Sequence, residues 1–234
     1  MKSNPTSLVY NCDCVEYMRT LADNYFHLAI ADPPYSHDGD VATVVKGGRF
    51  HKGRFDRYRT VNGKAIDIDE WDKTPSDEFF EQLFRVSKNQ IIWGANYYDG
   101  MPATRCFVVW KKQIPENFSM AMCEYAWTSF QGNAKIFEYS QLSKANDKRF
   151  HPTQKPVELY GWLLRNFANN GDLIFDPMMG SQSSRIAAYT MGFDYVGCEI
   201  EPLYFEKGNE RFEKICKGIQ KRKDGTTVTQ LSIF

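Results

Sequence analysis

The sequence predicts an α/β fold built on a mostly parallel sheet, and three observations predict it. Through the final third, short apolar runs alternate with segments of helical apolar spacing, the pattern of βαβ units. The 234 residues, 42% hydrophobic and 25% charged, have the balance of a globular chain and the length for one sizeable core. Two apolar runs stop at turns, Asp32-Pro-Pro-Tyr35 and Asp176-Pro-Met-Met-Gly180, and sheets of this class bind ligands at the carboxyl ends of strands.

Taken in order, Val15, Met18 and Leu21 share one helical face, and Phe26 to Ile30 reads as a buried strand. The prolines at 33 and 34 lack the donor a ladder requires, so the strand ends there. Residues 36–73 are rich in glycine and charge without periodicity and read as a functional insert. Ser76 caps a helix with Asp77 and Glu78 in its first turn and Phe79, Phe80, Leu83 and Phe84 on one face. Gln90–Trp93, Cys106–Trp110 and Glu124–Phe130 read as strands. Pro156 suits a first helical position, and Val157 to Phe167 has helical spacing. Strand 173–175, a helix around 185–191 stopped by Gly192, strand 195–198 and a helix from Pro202 to about Cys216 complete the alternation. One domain, 1–216, is expected, with a flexible tail over 217–234.

Twenty-nine Lys and Arg balance 29 Asp and Glu, so no global field advertises a polyanion and any basic surface must be local. The amino end lacks the apolar core of a secretory signal, and no apolar run is long enough to span a bilayer, so a cytoplasmic protein is expected. Six scattered cysteines show no zinc-site spacing, and none is expected to bind metal.

Chemistry concentrates at the two turns. A carboxylate at Asp32 and a free carbonyl at Pro33 would accept both N–H groups of an amino group conjugated to a ring and localise its lone pair on nitrogen. Pro33 and Pro34 hold these acceptors in place before binding, and Tyr35 offers a face for a flipped base. In the second turn Gly180 allows a ligand close to the backbone, and the helix that follows begins with hydroxyl residues. Glu199, about twenty residues on at the end of the next strand, stands where acidic side chains hold ribose hydroxyls.

With His151-Pro-Thr-Gln-Lys-Pro156 just upstream, these segments resemble the amino-methyltransferases of DNA, in which an Asp-Pro-Pro-Tyr motif pairs with an Asp-Pro-Phe-x-Gly-Ser-Gly-Thr-Thr loop. Catalytic motif first and cofactor loop last is similar to the permuted β group. The resemblance runs from Tyr10 to about Arg211 and implies a Rossmann-like methyltransferase fold, helices on both faces of the sheet, and S-adenosylmethionine as cofactor. It places Asp32, Pro33, Pro34 and Tyr35 at the target base. It places Asp176, Gly180, Ser181 and Ser183 along the cofactor, Glu199 on the ribose, Asp13 on the adenine side and Lys155 near the methionine carboxylate. Gln182 and Met178 depart from the loop's glycine and phenylalanine, and a side chain at 182 is expected to narrow the cofactor site. His151 is expected to be structural, and in-line transfer needs neither a metal nor a covalent enzyme intermediate.

The partner so implied is double-stranded DNA. Lys46, Arg49, Lys52, Arg54, Arg57 and Arg59, interleaved with Phe50, Phe55 and Tyr58, suit phosphate and base contacts beside the catalytic turn. Residues 111–150 are the other candidate for sequence readout. The last residues, Gln230, Leu231, Ser232, Ile233 and Phe234, resemble the peptide that docks bacterial proteins on the replicative sliding clamp, and the family resemblance allows a homodimer. Asp before Pro-Pro-Tyr favours adenine as target; cytosine-N4 methylation, or a DNA-binding adaptor whose cofactor site has decayed, are the alternatives.

Overall fold

The computed structural model describes residues 4–34, 60–61, 64–65, 74–116, 121–140, 149–221 and 226–229. Strand β1 (Ser7–Asn11), helix α1 (Cys14–Arg19) and β2 (Phe26–Ala31) come first, and β3 (Thr60–Val61) pairs with β4 (Lys64–Ala65) in a separate ribbon. Then follow α2 (Asp77–Val86), β5 (Ser87–Trp93), β6 (Val108–Lys111), β7 (Cys123–Thr128) and β8 (Lys135–Glu138). The last stretch runs α3 (Val157–Phe167), β9 (Leu173–Asp176), α4 (Ser183–Thr190), β10 (Asp194–Glu199), α5 (Pro202–Lys217), β11 (Ile219–Lys221) and β12 (Thr227–Thr229).

Among the described residues, eight strands form one sheet in the order β1-β10-β9-β2-β5-β7-β6-β8. The first five are mutually parallel, β7 runs antiparallel to both β5 and β6, and β8 is parallel to β6. Alternate side chains of a strand point to opposite faces, so each strand feeds two cores. Leu28, Ile30, Ile91, Trp93 and Ile174 pack with α3 and α4 on one face. Phe26, Ala29, Ala31, Ile92 and Phe175 pack with α1 and α2 on the other, where the Phe26 and Phe175 rings stack at 4.2 Å. Burying both faces explains the continuous apolar runs of the central strands.

The helix ends follow their local chemistry. Ser76 accepts from the Phe79 amide, Asp13 Oδ1 from the Val15 and Glu16 amides, and Glu201 from the Leu203 amide ahead of Pro202 at the first helical position. Gly218 closes α5 with φ +66°, a left-handed conformation that favours glycine. Among the described residues, no helix is long and apolar enough to cross a membrane.

One expectation needs correction, and two strands were not foreseen. Within the 111–150 segment β7 takes up the strand expected at 124–130, while β8 was not foreseen, and Ala126 and Phe137 lie in the core. Part of the expected flexible tail is structured, because α5 runs to Lys217 and β11 pairs antiparallel with β12. Strand β1, absent from the sequence reading, forms the sheet edge beside β10. Its solvent-facing Leu8 and Tyr10 erase the alternation that marks a strand.

Candidate active site

Strands β1, β10, β9 and β2 are adjacent and parallel, so their carboxyl ends open onto one rim of the sheet. From β2 the chain moves through α2 to β5 on one side, and from β9 through α4 to β10 on the other. The crevice between β9 and β2 is therefore a topological switch point. A cavity of about 270 Å³ lies there, bordered by residues of four loops: Asp13, Asp32 and Pro34, Lys155, and the Met178–Ser181 turn with Glu199 beside it. The amino end of α2 adds Pro75, Ser76 and Phe79 as a wall.

Asp32 is held by a lysine. Lys155 Nζ lies 2.5 Å from Asp32 Oδ2 and 3.2 Å from Glu124 Oε2, above the Trp93 ring at 5.4 Å. Lys112 Nζ closes the row at 2.6 Å from Glu124 Oε1. Burial alone would lower the Lys155 ammonium, but the two carboxylates outweigh it and raise it above its ordinary value. Burial would raise Glu124, but the two lysines hold it below the usual carboxylate range. Lys155 lines the cavity as expected, yet its ammonium is already engaged by two carboxylates, a different setting from a lysine waiting for a ligand carboxylate. The Pro33 carbonyl is not free either: Tyr98 Oη donates to Pro33 O at 3.0 Å and to Pro34 O at 3.1 Å. A carbonyl oxygen has a second lone pair, so this bond fixes the turn and leaves the oxygen able to accept once more.

On the opposite wall Glu199 Oε2 accepts from the Gly180 amide at 2.7 Å, and Oε1 accepts from the Glu201 amide at 2.9 Å. Burial nevertheless lifts this carboxyl to about 7. Gly180 has φ +48°, and a Cβ there would stand 3.1 Å from the His151 ring, so a side chain would be strained and would press the ring aside by a few tenths of an ångström. His151 packs on Tyr204 at 4.3 Å and borders the cavity, and burial lowers its pKa to about 3, so its ring is neutral.

Two residues expected along the cofactor lie behind the loop instead. Asp176 does not line the cavity: it accepts from the Met178 amide and from Ser184 Oγ, and burial raises it to about 7. Ser183 Oγ donates to the Lys155 carbonyl at 2.7 Å and accepts from Arg211, which also donates to the Ser181 carbonyl. Both brace the turn on which Gly180 and Ser181 sit. Arg211, Lys112, Glu124 and Tyr98 escaped the sequence reading; a charged residue inside an apolar run, as Glu124 is, was the one available signal.

Gln182 overturns its expectation. It takes φ +60°, the conformation a glycine would adopt, but its side chain turns away from the cavity and is fully buried. It fills a notch over Gly208 of α5, where a Cβ would come within 2.5 Å of Nε2. There Nε2 donates to the Phe205 carbonyl and Asn209, and Oε1 accepts from Arg185 at 2.8 Å. The side chain at 182 therefore does not border the cavity, and the decayed-site alternative loses one of its two supports, the other being Met178, which does border it.

Tyr35, the basic residues Lys46, Arg49, Lys52, Arg54, Arg57 and Arg59, and the terminal Gln230–Phe234 peptide lie outside the described residues. Among the described residues, no group of three His, Cys, Asp or Glu side chains is placed to hold a metal ion.

A parallel sheet reversed at one strand thus brings an acidic proline turn, a glycine turn and a strand-end glutamate to one cavity. The chain belongs to the N6/N4 DNA methylase family, whose model matches residues 85–210. It is 24% identical over 253 residues to type II methyltransferase M2.MboI of Moraxella bovis, covering 88% of each chain. Among solved structures it is similar to TTHA0409 of Thermus thermophilus complexed with S-adenosyl-L-methionine, at TM-score 0.57 and 17% identity, covering 91% of this chain and 96% of that one. It is also similar to the PvuII cytosine-N4-specific DNA methyltransferase, at TM-score 0.56 and 14% identity, covering 93% and 94%. At these identities the two structures speak for the fold.

Proposed function

We propose that the chain transfers a methyl group from S-adenosylmethionine to the exocyclic amino group of adenine in DNA. The observation that carries this reading is that Asp32 and Pro34 border the same cavity as Asp13, Gly180, Ser181 and Glu199. The residues present fit the cofactor. Glu199 and Asp13 are carboxylates for its hydroxyl and amino donors, and Val15, Phe79 and Met178 offer apolar surface to its flat base. When bound, it supplies a methyl group on a sulfonium, an electrophile that needs no further activation.

The protein's own part is positioning. On this reading Asp32, which borders the cavity, and the second lone pair of the Pro33 carbonyl, which is buried just behind its wall, accept the two N–H groups of a base turned out of the duplex, which restores nucleophilic character to its nitrogen. Tyr98 and the two prolines keep that turn from shifting when a base enters. The neighbouring basic stretch 46–59 would hold the phosphates. The terminal 230–234 peptide would bring the enzyme to a sliding clamp, and binding to purified clamp that survives its deletion ends that idea. An acidic residue before Pro-Pro-Tyr supports adenine over cytosine. The test is incubation with DNA and S-adenosylmethionine, digestion to nucleosides and mass analysis. N6-methyladenine is expected, N4-methylcytosine would move the target to the other base, and no methylated nucleoside would overturn the reading.

A further inference from the structure

Behind the cavity wall, Asp32, Lys155, Glu124 and Lys112 form a row of alternating charge, joined at 2.5, 3.2 and 2.6 Å. The first two members border the cavity and the last two do not. The row is built into the sheet. Trp110 of β6 pairs with Glu124 of β7, and the Lys112 amide donates to the Met122 carbonyl, so the chain directions at 112 and 124 are fixed by strand register. Lys112 is only 5% exposed, and its ammonium also lies 5.4 Å from the Trp110 ring. Glu124 Oε2 is closed off from solvent. Burying four charges is costly, and a single buried lysine would have sufficed to neutralise Asp32. The extra pair calls for a role.

The proposed methyl transfer supplies one. As the N–C bond forms, the C–S bond breaks with its electron pair left on sulfur, and positive charge passes to the amine nitrogen. That nitrogen then releases a proton to the Asp32 carboxylate and from there to solvent. A Lys155 ammonium 2.5 Å from Asp32 opposes charge arriving on that nitrogen; Glu124 counters Lys155, and Lys112 limits how far it does so. We propose that Glu124 and Lys112 are positioning residues for the transfer step: acting through Lys155, they set the negative charge that Asp32 presents to the acceptor nitrogen. The proposal rests on the function proposed above.

Other titratable groups face this row. Tyr160 of α3 is kept protonated by burial, His151 is neutral with a pKa lowered to about 3, and Asp176 beyond β2 is raised to about 7. Asp176 will add its own pH dependence, so the informative quantity is the displacement of each variant from the native protein.

The experiment is the pH profile of the single-turnover methylation rate at saturating S-adenosylmethionine for Glu124→Gln, Lys112→Gln and the double variant. Loss of the Glu124 charge makes Asp32 harder to protonate, so the acidic limb should move to lower pH by at least about half a unit, with a plateau rate about tenfold lower. Loss of the Lys112 charge should move the limb the other way, and the charge-balanced double variant should bring it back. Cofactor affinity should stay within about threefold throughout, since neither side chain borders the cavity. Limbs that coincide with the native one, or that move together in one direction, would overturn the proposal. If one single variant does not fold, the sign of the other's displacement decides. A native protein that methylates no DNA would instead sink the proposed function, so the two failures are distinguishable.

Discussion

Replacing Gly208 by alanine should have opposite effects depending on what stands at position 182. In the native chain the new Cβ would sit 2.5 Å from Gln182 Nε2 and 2.6 Å from its Cδ and Cγ, and the buried Gln182 side chain is tied to Phe205, Asn209 and Arg185. Such overpacking costs about 1–3 kcal/mol, against which alanine gains about 1 kcal/mol over glycine inside a helix. The net is a loss of up to about 2 kcal/mol. With Gln182→Gly the clash has no second partner, so Gly208→Ala should stabilise by about 1 kcal/mol. Coupling between the sites is then about 1–3 kcal/mol, read from a double-mutant cycle of urea unfolding free energies. Equal effects of Gly208→Ala in both backgrounds would refute the placement of Gln182 over α5, and with it the claim that the turn leaves the cofactor side open.

Further outcomes follow from the same geometry. Gln182→Gly should bind S-adenosylmethionine within about threefold of the native protein by calorimetry, because Gln182 does not line the cavity; a tenfold change would contradict that. Gly180→Ala brings a Cβ to 3.1 Å from the His151 ring at φ +48°, and should weaken cofactor binding by about tenfold or more, with unchanged affinity as the contrary result. Asp13→Ala removes the cap of α1 and should cost about 1 kcal/mol of stability in urea titrations. Burial raises Glu199 to about 7, above its value in the unfolded chain, so its protonated form favours the folded state. That stabilisation is complete below the unfolded pKa of about 4.3 and disappears as pH rises through 7. Cofactor-free protein should therefore lose stability relative to Glu199→Gln between these limits, and a difference that grows the other way would refute the assignment.

Local signals carried much of this architecture. The Ser76 cap, the strand at 26–31, the helix at 157–167 and the closing alternation were readable because each rests on periodicity or a capping residue within a few positions. The two turns were readable because proline and glycine constrain the backbone wherever they stand. What stayed hidden depends on distance in the chain. Glu124 meets Lys155, Arg211 meets Ser181, and Gln182 meets Gly208 only after the sheet has formed. Asp176 ends β9 and Ser183 begins α4, on either side of the turn, and packing decided which way they face: their side chains turn to Ser184 and Arg211, behind the rim. Strand β8 was missed for a related reason, since it is an edge strand with Ile136 in solvent and Phe137 in the core.

The central claim is that donor and acceptor sites share one cavity, with Asp32 acting on the acceptor. Asp32→Ala tests it most directly when cofactor affinity and DNA methylation are measured on the same preparation. The account predicts S-adenosylmethionine binding close to native and a methylation rate lower by about 10²–10³-fold. Native-rate methylation by this variant would contradict it.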